Sequence, residues 1–224
     1  MTSSDHWETI KAHGFTEIAP CDFMDEEGEL EIPVHGGEHL QDKNIVGSHI
    51  QNYNSMLVLS HFKGHAMGGF GGALKNMSIG VASSNGKAWI HSVGRTKDTK
   101  EMWNLIEDQD GFLESMAEAD KAVVEYFKPE NMAYIDVANK ISIDCDCDSN
   151  PKDPEMEDIG IFASIDPVAL DQCCYDTIMN SNDPGKEFLI NRMKEKHAIH
   201  TVEIAYELGI GNREYEIINI DGEC

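Results

Sequence analysis

Strand-like and helix-like apolar patterns alternate along the chain, and that alternation predicts an α/β fold. The expected form is a layered sandwich with a mostly parallel or mixed central sheet, in a single domain covering residues 1–224. Two further observations support it. The apolar runs Met56-Leu57-Val58-Leu59 and Ile159-Gly160-Ile161-Phe162-Ala163 have the length and composition of buried strands. The first of them ends in a glycine-rich loop, and a chain of 224 residues with no extended linker is long enough to bury one sizeable core.

Ser3 or Ser4 caps a first helix over residues 5–13, stopped at Gly14. Residues 25–29 form an acidic turn. Leu30-Glu31-Ile32-Pro33-Val34 alternates as a strand, and Pro33, which has no amide donor, puts it at a sheet edge. Residues 35–43 read as a polar loop, Ile45-Val46 as a short apolar segment, and residues 55–60 as an interior strand. Residues 96–128 read as helical, because Trp103, Ile106, Leu113, Met116, Ala119, Val123 and Phe127 recur every three or four positions, with a break at Asp110-Gly111. Residues 132–143 alternate as a long strand, and residues 159–165 form a second interior strand. Asp166 is the N-cap and Pro167 the first residue of a helix running over 168–179. Helices follow over 184–195 and 200–208, and residues 215–220 close the chain as a strand.

Seventeen basic against forty-one acidic side chains give a formal charge of -24. Such a surface repels phosphate backbones and anionic lipid, so no nucleic-acid or membrane partner is expected. No stretch approaches the roughly 20 apolar residues that cross a bilayer. The amino end lacks the basic and apolar regions of a signal peptide, so a cytoplasmic location is expected. Six cysteines, at 21, 145, 147, 173, 174 and 224, are too sparse and too paired for a secreted disulfide framework. Cys173 and Cys174 fall within a helical pattern and read as small core residues; no pattern places Cys21 or Cys224.

Two segments carry chemistry. In the first, a strand delivers His61 and His65, followed by Gly68-Gly69-Phe70-Gly71-Gly72 and then Lys75-Asn76. Imidazole suits Zn, Fe, Ni and Cu, although either histidine can instead be a hydrogen-bonded structural residue. The glycine loop is neither a Walker A loop nor a dinucleotide fingerprint. It offers backbone N–H groups at Gly69, Gly71 and Gly72, with Asn76 and the Lys75 ammonium beside them, as a cradle for a small oxyanion or carboxylate. The alternative is a tight turn with close chain packing. The second segment is Asp144-Cys145-Asp146-Cys147-Asp148. Thiols one residue apart can point the same way and chelate one ion, with the aspartates as hard ligands or supporting hydrogen-bond partners; the alternative is a surface turn with incidental cysteines. His61, His65, Cys145 and Cys147 together match a tetrahedral Zn or mononuclear Fe site. His91 is a further ligand, a proton-transfer group or a satisfied structural histidine. Asp166 is read as a helix cap and Asp171 as an early-helix charge.

These residues resemble the uncharacterised iron–sulfur-centre protein family, catalogued as domain of unknown function 362. The resemblance is carried in order by Leu59-Ser60-His61-Phe62-Lys63-Gly64-His65, Gly69-Phe70-Gly71-Gly72-Ala73-Leu74-Lys75-Asn76, Asp144-Cys145-Asp146-Cys147, Asp158-Ile159-Gly160-Ile161-Phe162-Ala163-Ser164 and Asp166-Pro167-Val168-Ala169-Leu170-Asp171-Gln172. Many members of that family carry a ferredoxin-like insert with two four-cysteine clusters. The corresponding stretch here, Val93-Gly94-Arg95-Thr96-Lys97-Asp98, has no cysteine, so no ferredoxin-type cluster is expected in this chain. Members also begin with a strand–helix unit upstream of a segment like residues 7–15, and this chain is read as starting after it.

The expectation is therefore a metal-binding cytoplasmic protein with one mononuclear transition-metal site. His61, His65, Cys145 and Cys147 hold the ion, Lys75 and the glycine loop receive an anionic ligand, and His91 assists. The alternatives are a metal-binding or electron-transfer accessory protein without substrate chemistry, and a small-molecule binding module whose cysteines are incidental.

Overall fold

The computed structural model describes residues 3–106 and 108–221. α1 (Ser3–Ala12) stops before Gly14, whose φ of 76° is the left-handed conformation that ends helices, and a short α2 (Phe15–Ile18) follows. β1 (Glu29–Pro33) pairs antiparallel with β2 (Lys43–Gly47) as a separate two-stranded ribbon, so Pro33 does lie at an edge. β3 (Met56–His61) leads into a hairpin of β4 (Lys63–His65) and β5 (Gly69–Gly71). α3 (Ala73–Val81) and α4 (Ser84–His91) come next; the Ser83 hydroxyl caps α4 by accepting the Gly86 N–H at 3.0 Å. Neither helix is apparent from apolar spacing, because both are short and rich in small and polar residues.

α5 (Gln109–Phe127) is the longest helix, capped by the Asp108 carboxylate, which accepts the Gly111 N–H. The expected helix over 96–128 therefore exists only in its second part. Residues 96–106 are irregular apart from one 3-10 turn at Met102–Asn104, and Trp103 is 62% exposed. β6 (Met132–Ala138) follows, then an irregular stretch to β7 (Gly160–Ser164), α6 (Pro167–Asn180), α7 (Lys186–Glu195) and α8 (His200–Glu207). Asp166 caps α6 as expected, its carboxylate accepting the Val168 and Ala169 N–H groups at 2.9 and 3.0 Å.

The central sheet is mixed, as the pattern predicts: order β3-β6-β7, with β3 parallel and β7 antiparallel to β6. Side chains alternate across it. Val58 and Ser60 of β3 and Tyr134, Asp136 and Ala138 of β6 turn inward, where α3 and α6 lie against the sheet, with α5 and α8 stacked behind them. The outward residues Leu57, Leu59 and Ile161 are 58%, 61% and 71% exposed. β3 and β7, both expected in the interior, are thus edge strands covered on one face. A continuous apolar run says that both faces tolerate burial, not that both are covered.

Two strand assignments also shorten. β6 ends at Ala138, ahead of Lys140 at φ 45°, so the cysteine pair lies in a loop and not on a strand. Residues 215–220 pair with no strand; the Tyr215 hydroxyl donates to Asp176, and Ile217, Ile218 and Ile220 are exposed. Among the described residues, no helix is long and apolar enough to cross a membrane.

Candidate metal centre

The site forms where β4 leaves the sheet and runs beside the chain emerging from β6. The Phe62 N–H donates to the Val137 carbonyl at 2.9 Å, and the Gly64 N–H to the Ser142 carbonyl at 2.8 Å. Gly64 is required here, because any Cβ at that position would overlap the backbone of Ile143. This close approach brings His65 against the loop that carries the cysteines.

One ligand atom each from His65, Cys145 and Cys147 lies within 4.8 Å of the others. His65 and Cys145 are buried and Cys147 is exposed, so the cluster opens to the surface on one side. At metal–sulfur and metal–nitrogen bond lengths of about 2.3 and 2.1 Å, donors of a tetrahedral ion sit roughly 3.5–4 Å apart, so the set matches an ion in size and chemistry. The Cys145 sulfur accepts the Cys147 N–H at 3.4 Å, and the Lys75 ammonium stands 3.9 Å from it. Burial first, and then the neighbouring Cys145, pushes the Cys147 thiol up from its ordinary value.

The His65 ring is held by its own turn, Nδ1 accepting the Gly68 N–H at 2.8 Å and the Met67 N–H at 3.3 Å. Burial, followed by the charges of Lys75, His91, Lys63 and Arg192, lowers its pKa to about 3, so the imidazole is neutral. Three consecutive residues of the cysteine loop each face a different cation. Arg192 Nη1 lies 3.9 Å from Asp144 Oδ1, Lys75 Nζ 3.9 Å from Cys145 Sγ, and Lys63 Nζ 3.3 Å from Asp146 Oδ2.

His61 does not join the cluster, which corrects the four-ligand set. Its Nδ1 pairs with the Asp146 carboxylate at 2.9 Å and its Nε2 donates to the Asn139 carbonyl at 2.7 Å. Both ring nitrogens are thus engaged within the protein, outside the cluster, and His61 clasps the cysteine loop to the end of β3. His91, on α4, donates from Nδ1 to the Lys87 carbonyl at 2.7 Å and stacks on Phe112 with centroids 4.9 Å apart; burial lowers its pKa. The Asn76 amide donates to the Leu59 carbonyl and the Ser60 hydroxyl, tying α3 to β3.

The glycines are also spoken for. Gly69, at φ 79°, packs against Ala198 and Lys196, and Gly71 leaves room for the Lys63 and Lys75 side chains, 3.6–3.7 Å from where its Cβ would stand. At Gly72 the N-terminus of α3 is already occupied by a carboxyl group of the protein. Asp171, from α6, accepts the Ala73 N–H at 2.8 Å and the Leu74 N–H at 3.1 Å. It is hydrogen-bonded to Asp136 of β6, and burial together with their mutual repulsion raises both carboxyls, Asp136 to about 6, so the pair shares a proton at neutral pH. The expected oxyanion cradle is in fact the seat of a carboxylate of the protein itself.

Lys63, Asp136, Asp171 and Arg192 stand at or beside the site and are not among the residues the sequence points to. Asp136 alternates with apolar neighbours within a buried strand, a position that carries a charge only for a reason, and that signal was available. Nothing in the sequence ties Arg192 to Asp144, 48 residues earlier. The five cysteines among the described residues are free thiols, and Cys224 lies outside the described residues.

No curated protein and no solved structure matches the chain. A family model does, over residues 1–176, a span that holds the histidine segment, the glycine loop and both cysteines of the cluster. The chain belongs to the family described as Domain of unknown function (DUF362).

Proposed function

We propose that the protein holds one transition-metal ion, Zn or Fe, on His65, Cys145 and Cys147, with a fourth position left for a water or a substrate. The observation that carries this is the convergence of one nitrogen and two sulfur donors within 4.8 Å, on two chain segments 80 residues apart, with His65 and Cys145 buried and Cys147 exposed. Three protein ligands with one open position is the arrangement of catalytic ions, whereas structural ions are closed by four. A bound ion would supply Lewis acidity toward a coordinated oxygen. The chain's own residues would do the rest: Lys75 neutralises negative charge beside Cys145, His61 and Lys63 fix the loop through Asp146, and Gly64 lets the two segments touch. His91 remains a proton-transfer candidate at the periphery. Free thiols at such a centre suit a reducing compartment, in keeping with a cytoplasmic location.

One observation favours metal-free thiol chemistry instead. With Nδ1 of His65 accepting N–H groups, its other nitrogen carries a proton and suits a donor to a thiolate better than a ligand. Cys145, beside Lys75, would then be the nucleophile.

Metal analysis of protein purified without added metal separates the two. The expected result is one equivalent of a transition metal in the wild type, lost in His65→Ala and Cys145→Ala and kept in His61→Ala. A wild type free of stoichiometric metal that also refuses added Zn and Co overturns the metal centre; rapid alkylation of Cys145 in that protein would favour the thiol chemistry.

A further inference from the structure

The charge of a substrate at this centre must be met by side chains, because the backbone donors at the start of α3 are taken by Asp171. Few are available in a chain with seventeen basic residues against forty-one acidic ones, yet three of them face the cysteine loop. Lys63 is committed: its ammonium donates to the His61 carbonyl at 2.9 Å and pairs with Asp146 at 3.3 Å. The other two are not. Among the described residues, Lys75 has only the Cys145 sulfur at 3.9 Å, and Arg192 Nη1 is a buried donor with no hydrogen-bond partner, its nearest acid, Asp144, standing off at 3.9 Å. Asp144 itself turns Oδ2 to the Lys152 N–H at 3.3 Å. A buried guanidinium nitrogen without an acceptor is costly to leave so, and its planar fork fits two oxygens of one anion.

We propose that Arg192 and Lys75 form an anion subsite beside the metal position, which binds the carboxylate or phosphate group of a small substrate while another of its atoms reaches the open coordination position. Both cations stand 3.9 Å from neighbouring residues of the loop that carries the thiols, Lys75 from Cys145 and Arg192 from Asp144. α7 thus contributes the specificity-determining residue, and α3 its partner. The subsite rests on the metal centre proposed above, and its test separates the two.

Full-length protein is loaded with cobalt(II), and its visible absorption is followed while acetate or inorganic phosphate is added. The expected result is a saturable change in the cobalt spectrum with one of the two anions, which also identifies the group recognised. Arg192→Gln should weaken that anion about tenfold or more while cobalt uptake is unchanged. Arg192→Lys, which keeps the charge and loses the fork, should fall between, and Lys75→Met should weaken it independently. If cobalt binds but neither anion alters the spectrum, or if Arg192→Gln binds the anion as the wild type does, the subsite is overturned and the metal centre stands. If cobalt does not bind, both fall.

Discussion

Replacing Gly72 by alanine should destabilise the protein by displacing a buried carboxyl group. The backbone there is extended, φ -135° and ψ -150°, so alanine meets no left-handed strain. It meets Asp171 instead: the new Cβ would stand 2.5 Å from Asp171 Oδ1, 3.0 Å from its Cγ and 3.1 Å from Asp136 Oδ2. Asp171 is 1% exposed and has nowhere to retreat, so it must release the Ala73 and Leu74 N–H groups that it accepts. Losing each of these buried bonds costs about 1–3 kcal/mol. Partial relaxation, and the smaller unfolded-state entropy of alanine, worth about 0.4–1 kcal/mol in the opposite direction, leave a net destabilisation of roughly 2–5 kcal/mol. For a chain of this length that lowers Tm by roughly 5–15 °C. Urea unfolding followed by far-ultraviolet circular dichroism measures it, and a double-mutant cycle locates it. In an Asp171→Ala background the same Gly72→Ala change should cost under about 1 kcal/mol, since the obstructing carboxylate is gone. A single mutant within about 0.5 kcal/mol of wild type, or an equal cost in both backgrounds, would refute the idea that Gly72 exists to admit Asp171.

The Asp136–Asp171 pair also sets a pH signature. Asp136, raised to about 6, binds a proton in the folded state where the unfolded chain has already released it, so its contribution is fully present below the unfolded value near 3.8 and is lost as pH rises through 6. The full loss is about 3 kcal/mol, about 2 kcal/mol of it between pH 4 and 6, and urea titrations of wild type and Asp136→Asn at those two pH values should differ by about 2 kcal/mol in their pH dependence; parallel curves would contradict it. On β3, Val58→Ala should cost about 2 kcal/mol and Leu59→Ala under about 0.5, because Val58 is 5% and Leu59 61% exposed. Equal costs, read from urea midpoints, would mean that the outer face of the sheet is covered in solution.

Local pattern determined a good deal of this molecule. The α/β class, the mixed sheet, the Asp166 cap with Pro167 behind it, the edge position of Pro33 and the cysteine pair of the candidate site are all legible, because strand period, cap chemistry and thiol spacing are properties of neighbouring residues. Tertiary structure decided what depends on residues far apart. His61 and His65 look equivalent in the sequence, but only the fold places Asp146 and Asn139 around one ring and Cys145 and Cys147 around the other. The glycine loop reads as an open anion cradle until α6 arrives, nearly a hundred residues later, and fills it with Asp171. β3 and β7 carry interior-type sequences at the edges of the sheet, since which face a helix covers is set by the path of the chain and not by the strand. Hydrogen bonds and burial are pairwise and long-range, so a side chain's type fixes what it can do, and its partners fix what it does.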